Sequence, residues 1–383
     1  MSKLCITLPP FAPDYSGAAS ALFELGGMTV IHDASGCTGN YTGFDEPRWF
    51  GSSSAVYCSG LRHMDAVLGN DEKFINETVE AAKSIKPEFI ALLGSPVPTV
   101  IGTDLKGMAS EIEALSGIPS IGLETKGLAY YGSGICDATV SIMKKFGLKK
   151  SHVKNKDSVN ILGMTPLDFY IGGWERKFTE LFEGASFHVN ACFNMGMTIE
   201  DMKNSVNAEL NIAVSQAGVQ IGKYMFKKYG IPYIAVTPLG DGSIALEKAE
   251  NAIKGKIEAY DYGQPSDILI VGEQIISDSI REYIYRKNGV YADVAVLFDC
   301  CDEYLKNNDI KIKNELQLRN ILNSGKYRTI LADPMVRGLL RKENNDEVKF
   351  IDFPHVAVSS KVHWDEYKPF LGDDSVKWLD TVR

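Results

Sequence analysis

Short apolar runs rich in β-favouring residues alternate with longer segments of helical periodicity along the whole chain. The apolar runs predict strands at Met28–Asp33, Phe89–Gly94, Pro119–Glu124, Val159–Met164, His188–Phe193, Asn211–Ser215, Tyr233–Thr237, Ile268–Gly272, Val294–Phe298, Thr329–Ala332 and Lys349–Phe353. Helical spacing predicts helices that include Ala18–Leu25, Glu72–Ile85, Ile135–Phe146, Val219–Tyr229 and Ser277–Lys287. Strands separated by single helices are typical of parallel sheets, so we expect a doubly wound α/β fold.

Two polar stretches interrupt this alternation, and each is followed at once by an apolar strand. They are Lys149–Ser158 and Ala259–Ser266. A chain of 383 residues is also long enough for more than one packed unit. We therefore expect three Rossmann-like domains, over residues 1–155, 156–264 and 265–383.

Charge and hydropathy exclude several classes of partner. The formal net charge is −9, so the chain has no excess of cations with which to neutralise nucleic-acid phosphates or an anionic membrane. No apolar run approaches the ~20 residues of a membrane span, and the first residues lack the features of a signal peptide. We expect a cytoplasmic protein that binds neither nucleic acid nor membrane.

The seven cysteines are not spaced as a disulfide framework, and their number is odd. In a reducing compartment some of them could instead bind a soft metal or an iron–sulfur cluster. One stands in a glycine-rich turn, Ala34–Gly43, directly after the first predicted strand. That turn lacks the Gly-Lys-Ser/Thr ending of a phosphate loop, and no GxGxxG follows any strand, so the sequence does not support a nucleotide site.

Several strand-end segments carry a family resemblance by their order and spacing. They are Ser16–Ala18, Leu25–Gly26, Ser35–Cys37, Asp65–Gly69, Gly94–Pro96, Val100–Asp104, Ile171–Gly173, Ala208–Ile212 and Lys228–Tyr233. Together they resemble the catalytic component of nitrogenase and its relatives, which include the dark-operative protochlorophyllide and chlorophyllide reductases and a tetrapyrrole reductive cyclase. The resemblance extends over nearly the whole chain.

The resemblance implies an iron–sulfur cluster held by cysteines at an interface between two subunits. Of the three family cysteines per subunit, only Cys37 carries over, because the other two positions fall near Pro13–Asp14 and near Ser95–Pro96. Cys58 stands where many family members also have a cysteine, so we expect it to be the second ligand.

The number of ligands predicts a shared site. A [4Fe–4S] cluster ordinarily takes four thiolates, and one chain offers two plausible ones in this region. A homodimer in which each protomer contributes Cys37 and Cys58 meets the count. A heterodimer with a related subunit also meets it, and Asp14 is an alternative oxygen ligand. If both cysteines were only small buried side chains, no cluster would form.

Molybdenum-type nitrogenase holds a second cofactor with a cysteine and a histidine. Ser215 occupies the position of that cysteine, and His363 resembles that histidine. Loss of the thiolate disfavours dinitrogen reduction, and the family implies an organic substrate instead, such as a tetrapyrrole-like molecule.

Reduction of a double bond also requires proton donors, because added electrons build up negative charge. The candidate catalytic residues are His32, His63, His363 and Asp365, which lie on predicted strand-end loops or on the C-terminal segment. For His32 the alternative is a hydrogen-bonded core histidine. Arg48 either recognises an acidic substrate group or helps to seal the cluster from water.

The resemblance therefore implies a nitrogenase-like oxidoreductase subunit that receives electrons from a separate ATP-hydrolysing iron protein and reduces a small molecule in a cleft between the domains. Two alternatives remain open. The first is a scaffold on which a metallocluster or cofactor is assembled without turnover. The second is a metal-free α/β ligand-binding protein whose cysteines are inert.

Overall fold

Three separate parallel sheets form the framework of the protein. The computed structural model describes residues 5–52, 54–151, 153–256, 264–341 and 348–382. Their strands are β1 Met28–Ile31, β2 Ala55–Cys58, β3 Ile90–Leu93, β4 Ser120–Leu123, β5 Ser158–Leu162, β6 His188–Cys192, β7 Leu210–Ala213, β8 Tyr233–Ala235, β9 Ile268–Gly272, β10 Asp293–Val296, β11 Ile310–Lys311, β12 Thr329–Ala332 and β13 Lys349–Asp352.

The strand order is β2-β1-β3-β4 in the first sheet, β6-β5-β7-β8 in the second and β11-β10-β9-β12-β13 in the third. Every described strand pair is parallel. The predicted fold of three Rossmann-like parallel-sheet units is confirmed, and each of the eleven predicted strand segments overlaps an observed strand. The predicted boundary stretch Ala259–Ser266 lies largely outside the described residues.

Helices connect the strands and cover the sheets. The α-helices are α1 Asp14–Leu22, α2 Gly36–Asn40, α3 His63–Leu68, α4 Asp71–Ile85, α5 Pro96–Ile101, α6 Leu105–Ser116, α7 Tyr131–Lys145, α8 Pro166–Phe169, α9 Trp174–Gly184, α10 Ile199–Asn204, α11 Gln216–Tyr229, α12 Ser243–Ile253, α13 Gln274–Asn288, α14 Glu315–Leu322, α15 Val356–Ser359 and α16 Asp373–Leu379. A π-helical turn, Tyr41–Asp45, and a 3₁₀ turn, Pro47–Trp49, follow α2, and a further 3₁₀ segment spans Ser360–Glu366.

Helix α1 is buried along its whole length and packs closely against α7. A methyl group at Gly17 would lie 1.9 Å from the carbonyl oxygen of Tyr131, and one at Gly134 would lie 1.8 Å from that of Asp14. Only glycine permits backbones to approach so closely, so these two positions fix how α7 sits on α1.

Arg48 anchors the loop after α2 onto α1. Its guanidinium donates to both carboxylate oxygens of Glu46 at 2.8 Å and to the carbonyl oxygen of Ser20 at 2.8 Å. Glu24 lies 3.0 Å from the same guanidinium. Because these partners engage its head group and its side chain is nearly buried, Arg48 acts as a structural clamp on this loop.

Candidate functional site

The two candidate ligand cysteines follow neighbouring strands at the carboxyl end of the first sheet: Cys58 is the last residue of β2, and Cys37 lies in α2, the helix after β1. Strands β1 and β2 pair in parallel with Ile31 opposite Cys58. The Cys58 thiol donates to the carbonyl oxygen of Asp33 at 3.3 Å and accepts from the backbone N–H of Gly60 at 3.3 Å. Amide donors of this kind tune the potential of a cluster bound to the sulfur.

Asp33 also shapes the turn that carries Cys37. Its Oδ2 accepts the backbone N–H groups of Ser35 at 2.9 Å and Thr38 at 3.2 Å. Ser35 has a φ of 121°, a conformation that costs backbone energy and is typical of functional turns. Asp33 therefore bonds to Cys58 through its carbonyl oxygen and to the turn that carries Cys37 through its carboxylate.

Cys37 is half-buried and faces three polar side chains, Tyr15, Ser95 and Asp33. Burial raises the pKa of the Cys37 thiol, and the Asp33 carboxylate raises it further. The thiol is consequently protonated when it is free at neutral pH. A bound metal would remove this proton, because a coordinating thiol is deprotonated outright.

At the two remaining family ligand positions, the side chains are occupied by backbone groups. The Asp14 carboxylate accepts the N–H groups of its neighbour Tyr15 at 2.8 Å, of Lys126 at 3.0 Å and of Gly127 at 2.7 Å. Ser95 donates its hydroxyl to the carbonyl oxygen of His32 at 2.9 Å. Within the part of the chain that the structure describes, no group of three or more His, Cys, Asp or Glu side chains is placed to bind a metal ion. By number, Cys37 and Cys58 could supply two of the four thiolates that a [4Fe–4S] cluster takes.

Apolar side chains are exposed around this cysteine edge. Helix α3 follows β2 and presents Val67 and Leu68, which are 65% and 71% exposed, and helix α5 follows β3 and presents Val100, 86% exposed. Both helices border the same cavity of about 100 Å³. We call this face the cysteine-edge surface, with members Tyr57, Met64, Val67, Leu68, Val97, Val100 and Ile101. Exposed apolar faces of this kind mark interaction sites.

Two of the candidate catalytic histidines lie at this same edge. His32 is buried, its Nδ1 lies 2.9 Å from the hydroxyl of Ser59, and its ring packs on Phe74. Burial lowers the pKa of His32, so its imidazole is neutral at pH 7. His32 faces the cavity of about 100 Å³, whereas His63 is exposed at the first position of α3.

The other two candidates, His363 and Asp365, lie on the 3₁₀ segment Ser360–Glu366. Nδ1 of His363 is 3.2 Å from a carboxylate oxygen of Glu366, and Asp365 is exposed. This segment packs against the π-helical turn after α2, where the hydroxyl of Ser360 donates to the carbonyl oxygen of Phe44 at 2.6 Å. The structure thus places these residues beside the loop that follows Cys37.

A second cluster of polar side chains, which we call the junction, lies where the carboxyl ends of the three sheets converge. Sequence reasoning missed this cluster. The hydroxyl of Tyr131, at the start of α7, donates to Oδ1 of Asp168 on α8 at 2.5 Å. Nε2 of His355, directly before α15, lies 3.2 Å from the same oxygen. Glu273 follows β9 and accepts the backbone N–H groups of Gln216 at 2.6 Å and Ile276 at 2.8 Å.

Burial controls the protonation of this junction. It raises the pKa of Glu273 to about 8, with the nearby Asp168 carboxylate contributing. Burial also raises the pKa of Asp333, which accepts the backbone N–H of His355 at 2.8 Å, and holds that of Tyr131 well above its ordinary value. The only local signal in the sequence was that Asp168, Glu273, Asp333 and His355 each follow a predicted strand by a few residues.

An open cleft of about 330 Å³ adjoins the junction and takes residues from all three sheet units. Ser133 and Asp137 come from α7, Gln216 and Gln220 from α11, and Asp299, Cys300 and Lys311 from the third sheet unit. Cys136 also lines the cleft. Burial raises the pKa of the Cys136 thiol to about 12 and that of Cys300 to about 11, so both thiols are protonated at neutral pH.

Ser215 lies at the base of α11 and is completely buried. Its hydroxyl donates to the carbonyl oxygen of Gly163 at 2.7 Å and accepts the N–H of Gly218 at 3.3 Å, so it caps the helix. Among the described helices, none has the length and apolarity that crossing a bilayer requires.

Comparison with known proteins identifies the relatives of this chain. The model of the nitrogenase component 1 type oxidoreductases matches residues 13–245. One subunit of the light-independent protochlorophyllide reductase of Pinus thunbergii is 24% identical over 367 residues, which cover 81% of this chain and 69% of that protein. The corresponding protein of Staurastrum punctulatum is 25% identical over 363 residues with the same coverage.

Two nitrogenase proteins are also similar. The nitrogenase molybdenum-iron protein alpha chain of Clostridium pasteurianum is 27% identical over 195 residues, which cover 49% of this chain and 35% of that protein. Among solved structures, nitrogenase Cp1 at pH 5 aligns with a TM-score of 0.69 at 18% identity, and covers 100% of this chain and 89% of that chain.

Proposed function

Since this chain belongs to the nitrogenase component 1 type oxidoreductases, we propose that it is the substrate-reducing subunit of a two-component reductase. The observation that carries the proposal is that both cysteines follow the first sheet at its carboxyl end, where Cys58 ends β2 and Cys37 lies in α2 directly after β1, with exposed apolar side chains on the helices that follow the neighbouring strands.

We propose that Cys37 and Cys58 of two subunits hold one [4Fe–4S] cluster between them. Each protomer offers two thiols, so a homodimer provides the four thiolates that such a cluster takes, and a related partner subunit is the heterodimeric alternative. The cysteine-edge surface is the face that the second subunit would cover. When bound, the cluster supplies one-electron transfer.

We propose that the electron donor is a separate iron protein that hydrolyses ATP. The family supports this assignment, and so does the absence of a phosphate loop in the sequence of this chain. The nucleotide would then be bound and hydrolysed by the donor.

The cleft of about 330 Å³ is the proposed substrate site, because ligands of open α/β units bind beyond the carboxyl ends of the strands. Gln216, Gln220 and Lys311 offer donors for an oxygen-bearing organic substrate, and tetrapyrrole-like molecules are the class that the family suggests. Ser215 offers no thiolate for a second metal cofactor and is engaged as a helix cap.

We propose His363 and Asp365 on the C-terminal segment, with His32 and His63 at the cysteine edge, as proton donors; none of the four lines the cleft, so each would act through an intervening group. His32 is neutral at pH 7, so it can accept a proton before it donates one. We further propose that the three sheet units are domains with limits near residues 155 and 264.

The decisive experiment measures turnover in the absence of oxygen. The purified protein is mixed with a reduced iron protein and MgATP, and reduction of protochlorophyllide is followed by absorbance together with oxidation of the iron protein. Electron uptake that requires ATP supports the proposal. If the chain takes up no electrons but transfers its cluster to an apo-acceptor, it is an assembly scaffold. If it binds no iron, it is a metal-free binding protein.

A further inference from the structure

A small space near the N-terminal end of helix α7 lies between two side-chain oxygen atoms. A methyl group built on Gly132 would lie 3.0 Å from Oε1 of Gln216 and 3.5 Å from Oδ2 of Asp299. Apart from the chain neighbours of Gly132 and the backbone of its own helix, no other described heavy atom lies within 4 Å of that point. We call this space the Gly132 niche. Gln216 and Asp299 both line the cleft of about 330 Å³, so the niche belongs to the wall of that cleft.

Neither oxygen of the niche accepts a hydrogen bond from the described residues. Oδ2 of Asp299 is buried and has no partner. Gln216 is only 6% exposed, and the hydrogen bond of its side chain is made by the amide nitrogen, which donates to Sγ of Cys301 at 3.7 Å, so Oε1 has no donor. Two acceptor oxygens cannot satisfy each other, and a buried acceptor without a donor is costly. The niche is therefore suited to a hydrogen-bond donor that comes from outside the chain.

The surrounding elements hold the two oxygens in place. Gln216 is the first residue of α11, and its amide nitrogen donates to Cys301, whose backbone N–H in turn donates to the side chain of Gln274 at 2.7 Å. Asp299 follows strand β10 in the third sheet unit. Gly132, Gln216 and Asp299 thus come from three different sheet units, and the niche exists only when the units are packed together. Polar groups that converge in this way on a concave wall are typical of ligand sites.

The charges of the cleft favour a cationic donor. Among its described lining residues, two carboxylates, Asp137 and Asp299, stand against one ammonium group, that of Lys311. An ionised carboxylate only accepts hydrogen bonds, and its bonds to charged donors are the stronger ones. Burial raises the pKa of the Asp299 carboxyl, and a cation at hydrogen-bond distance would lower it again.

We propose that the Gly132 niche binds a primary ammonium group of the molecule that enters the cleft, with Oε1 of Gln216 and Oδ2 of Asp299 as its acceptors. This inference rests on the proposed function of the cleft as the substrate site, and it narrows the substrate to organic molecules that carry an amino group. A primary ammonium has three N–H donors, enough for both oxygens, and its charge offsets that of Asp299. Lys311 remains available to an oxygen atom of the same molecule.

Three probes of similar size test the niche on protein purified without oxygen. At pH 7 benzylamine is a cation with three N–H donors, N,N-dimethylbenzylamine has the same charge but one donor, and benzyl alcohol has no charge. In saturation-transfer NMR titrations the wild type should bind benzylamine at least fivefold more tightly than either other probe. Gly132→Ala fills the niche with a methyl group and Asp299→Asn removes the carboxylate, so both variants should lose this preference. The control Gly184→Ala, with open space around it, should keep it.

Alanine suits the helical backbone at Gly132, so this variant should remain folded by circular dichroism. A wild type that binds all three probes equally, or does not bind benzylamine at millimolar concentration, would overturn the proposal, because the niche would then hold only water. A preference that persists in either niche variant would also overturn it, since the cation would be bound elsewhere. Failure of the proposed function has a different signature, a protein that keeps the preference for benzylamine but takes up no electrons from the iron protein.

Discussion

We expect the folded protein to lose stability as pH rises, and replacing Glu273 with glutamine should remove most of this loss. The side chain is buried, and its pKa of about 8 compares with an ordinary value of 4.5. The folded protein therefore keeps this proton to higher pH than the unfolded chain does. Unfolding releases a proton between these two pH values, so stability falls as pH rises through that window.

The magnitude follows from linkage. Each tenfold change in proton affinity is worth ~1.36 kcal/mol, so the raised pKa of Glu273 costs the folded state on the order of 5 kcal/mol by the upper end of the window. Glutamine carries no titrating proton, but it has one acceptor oxygen where Glu273 uses two, for the N–H groups of Gln216 and Ile276. We expect a pH-independent penalty of ~1–3 kcal/mol from the N–H that loses its partner.

Urea unfolding at several pH values between 5 and 9 measures both effects. Glu273→Gln should have a lower free energy of unfolding than the wild type at pH 5. The difference should shift steadily in favour of the variant as pH rises, by at least ~2 kcal/mol between pH 5 and pH 9. Glu209→Gln is the matched control, because Glu209 also accepts a backbone N–H, from Asp157 at 2.7 Å. Its stability should run parallel to that of the wild type. If the Glu273→Gln curve is also parallel to the wild type, Glu273 does not hold a proton at pH 7 and this reasoning is refuted.

Three further predictions concern other parts of the molecule. The Glu315 carboxylate accepts the backbone N–H groups of Ile6, Thr7 and Leu8, and these bonds hold its pKa below the ordinary value. The attachment of this N-terminal segment is therefore lost as pH falls through the lowered pKa. At pH 7, Glu315→Gln should speed hydrogen exchange of those three amides at least tenfold. Gly134→Ala should cost ~3 kcal/mol or more in urea unfolding because its methyl group meets the Asp14 carbonyl, whereas Gly184→Ala, with open space around it, should be neutral or slightly stabilising. Leu68→Asp on the cysteine-edge surface should sediment as a monomer in sedimentation velocity, whereas the control Leu115→Asp on α6 should remain a dimer. A Leu68→Asp variant that stays dimeric would rule out this face as the interface.

The local pattern of apolar and polar residues was sufficient to predict most of the strands, but not the short strands at the edges of the sheets. β2 was not predicted, because it has four residues and only Val56 is buried. Such an edge strand depends on pairing with β1, which places Cys58 opposite Ile31. β11, with two residues, was missed for the same reason. Short edge strands gain their stability from the neighbouring strand rather than from their own composition.

The candidate site divides in a similar way. The glycine-rich turn with Cys37 was visible in the sequence because its residues are contiguous. The junction was not, because Tyr131, Asp168, Glu273 and His355 come from different sheet units. Periodicity predicts each element separately and carries no information on how the sheets face one another. The family resemblance directed attention to His363, while the structure buries His355 beside an acid.

Iron and acid-labile sulfide counts on protein purified without oxygen test the central claim most directly. If two chains share one [4Fe–4S] cluster, the wild type and the exposed-cysteine control Cys5→Ala should each contain about two irons and two sulfides per chain. Cys37→Ala and Cys58→Ala should each lose them while remaining folded by circular dichroism. Full iron content in either of these two variants, or a wild type that binds no iron after reconstitution with iron and sulfide, would contradict the account.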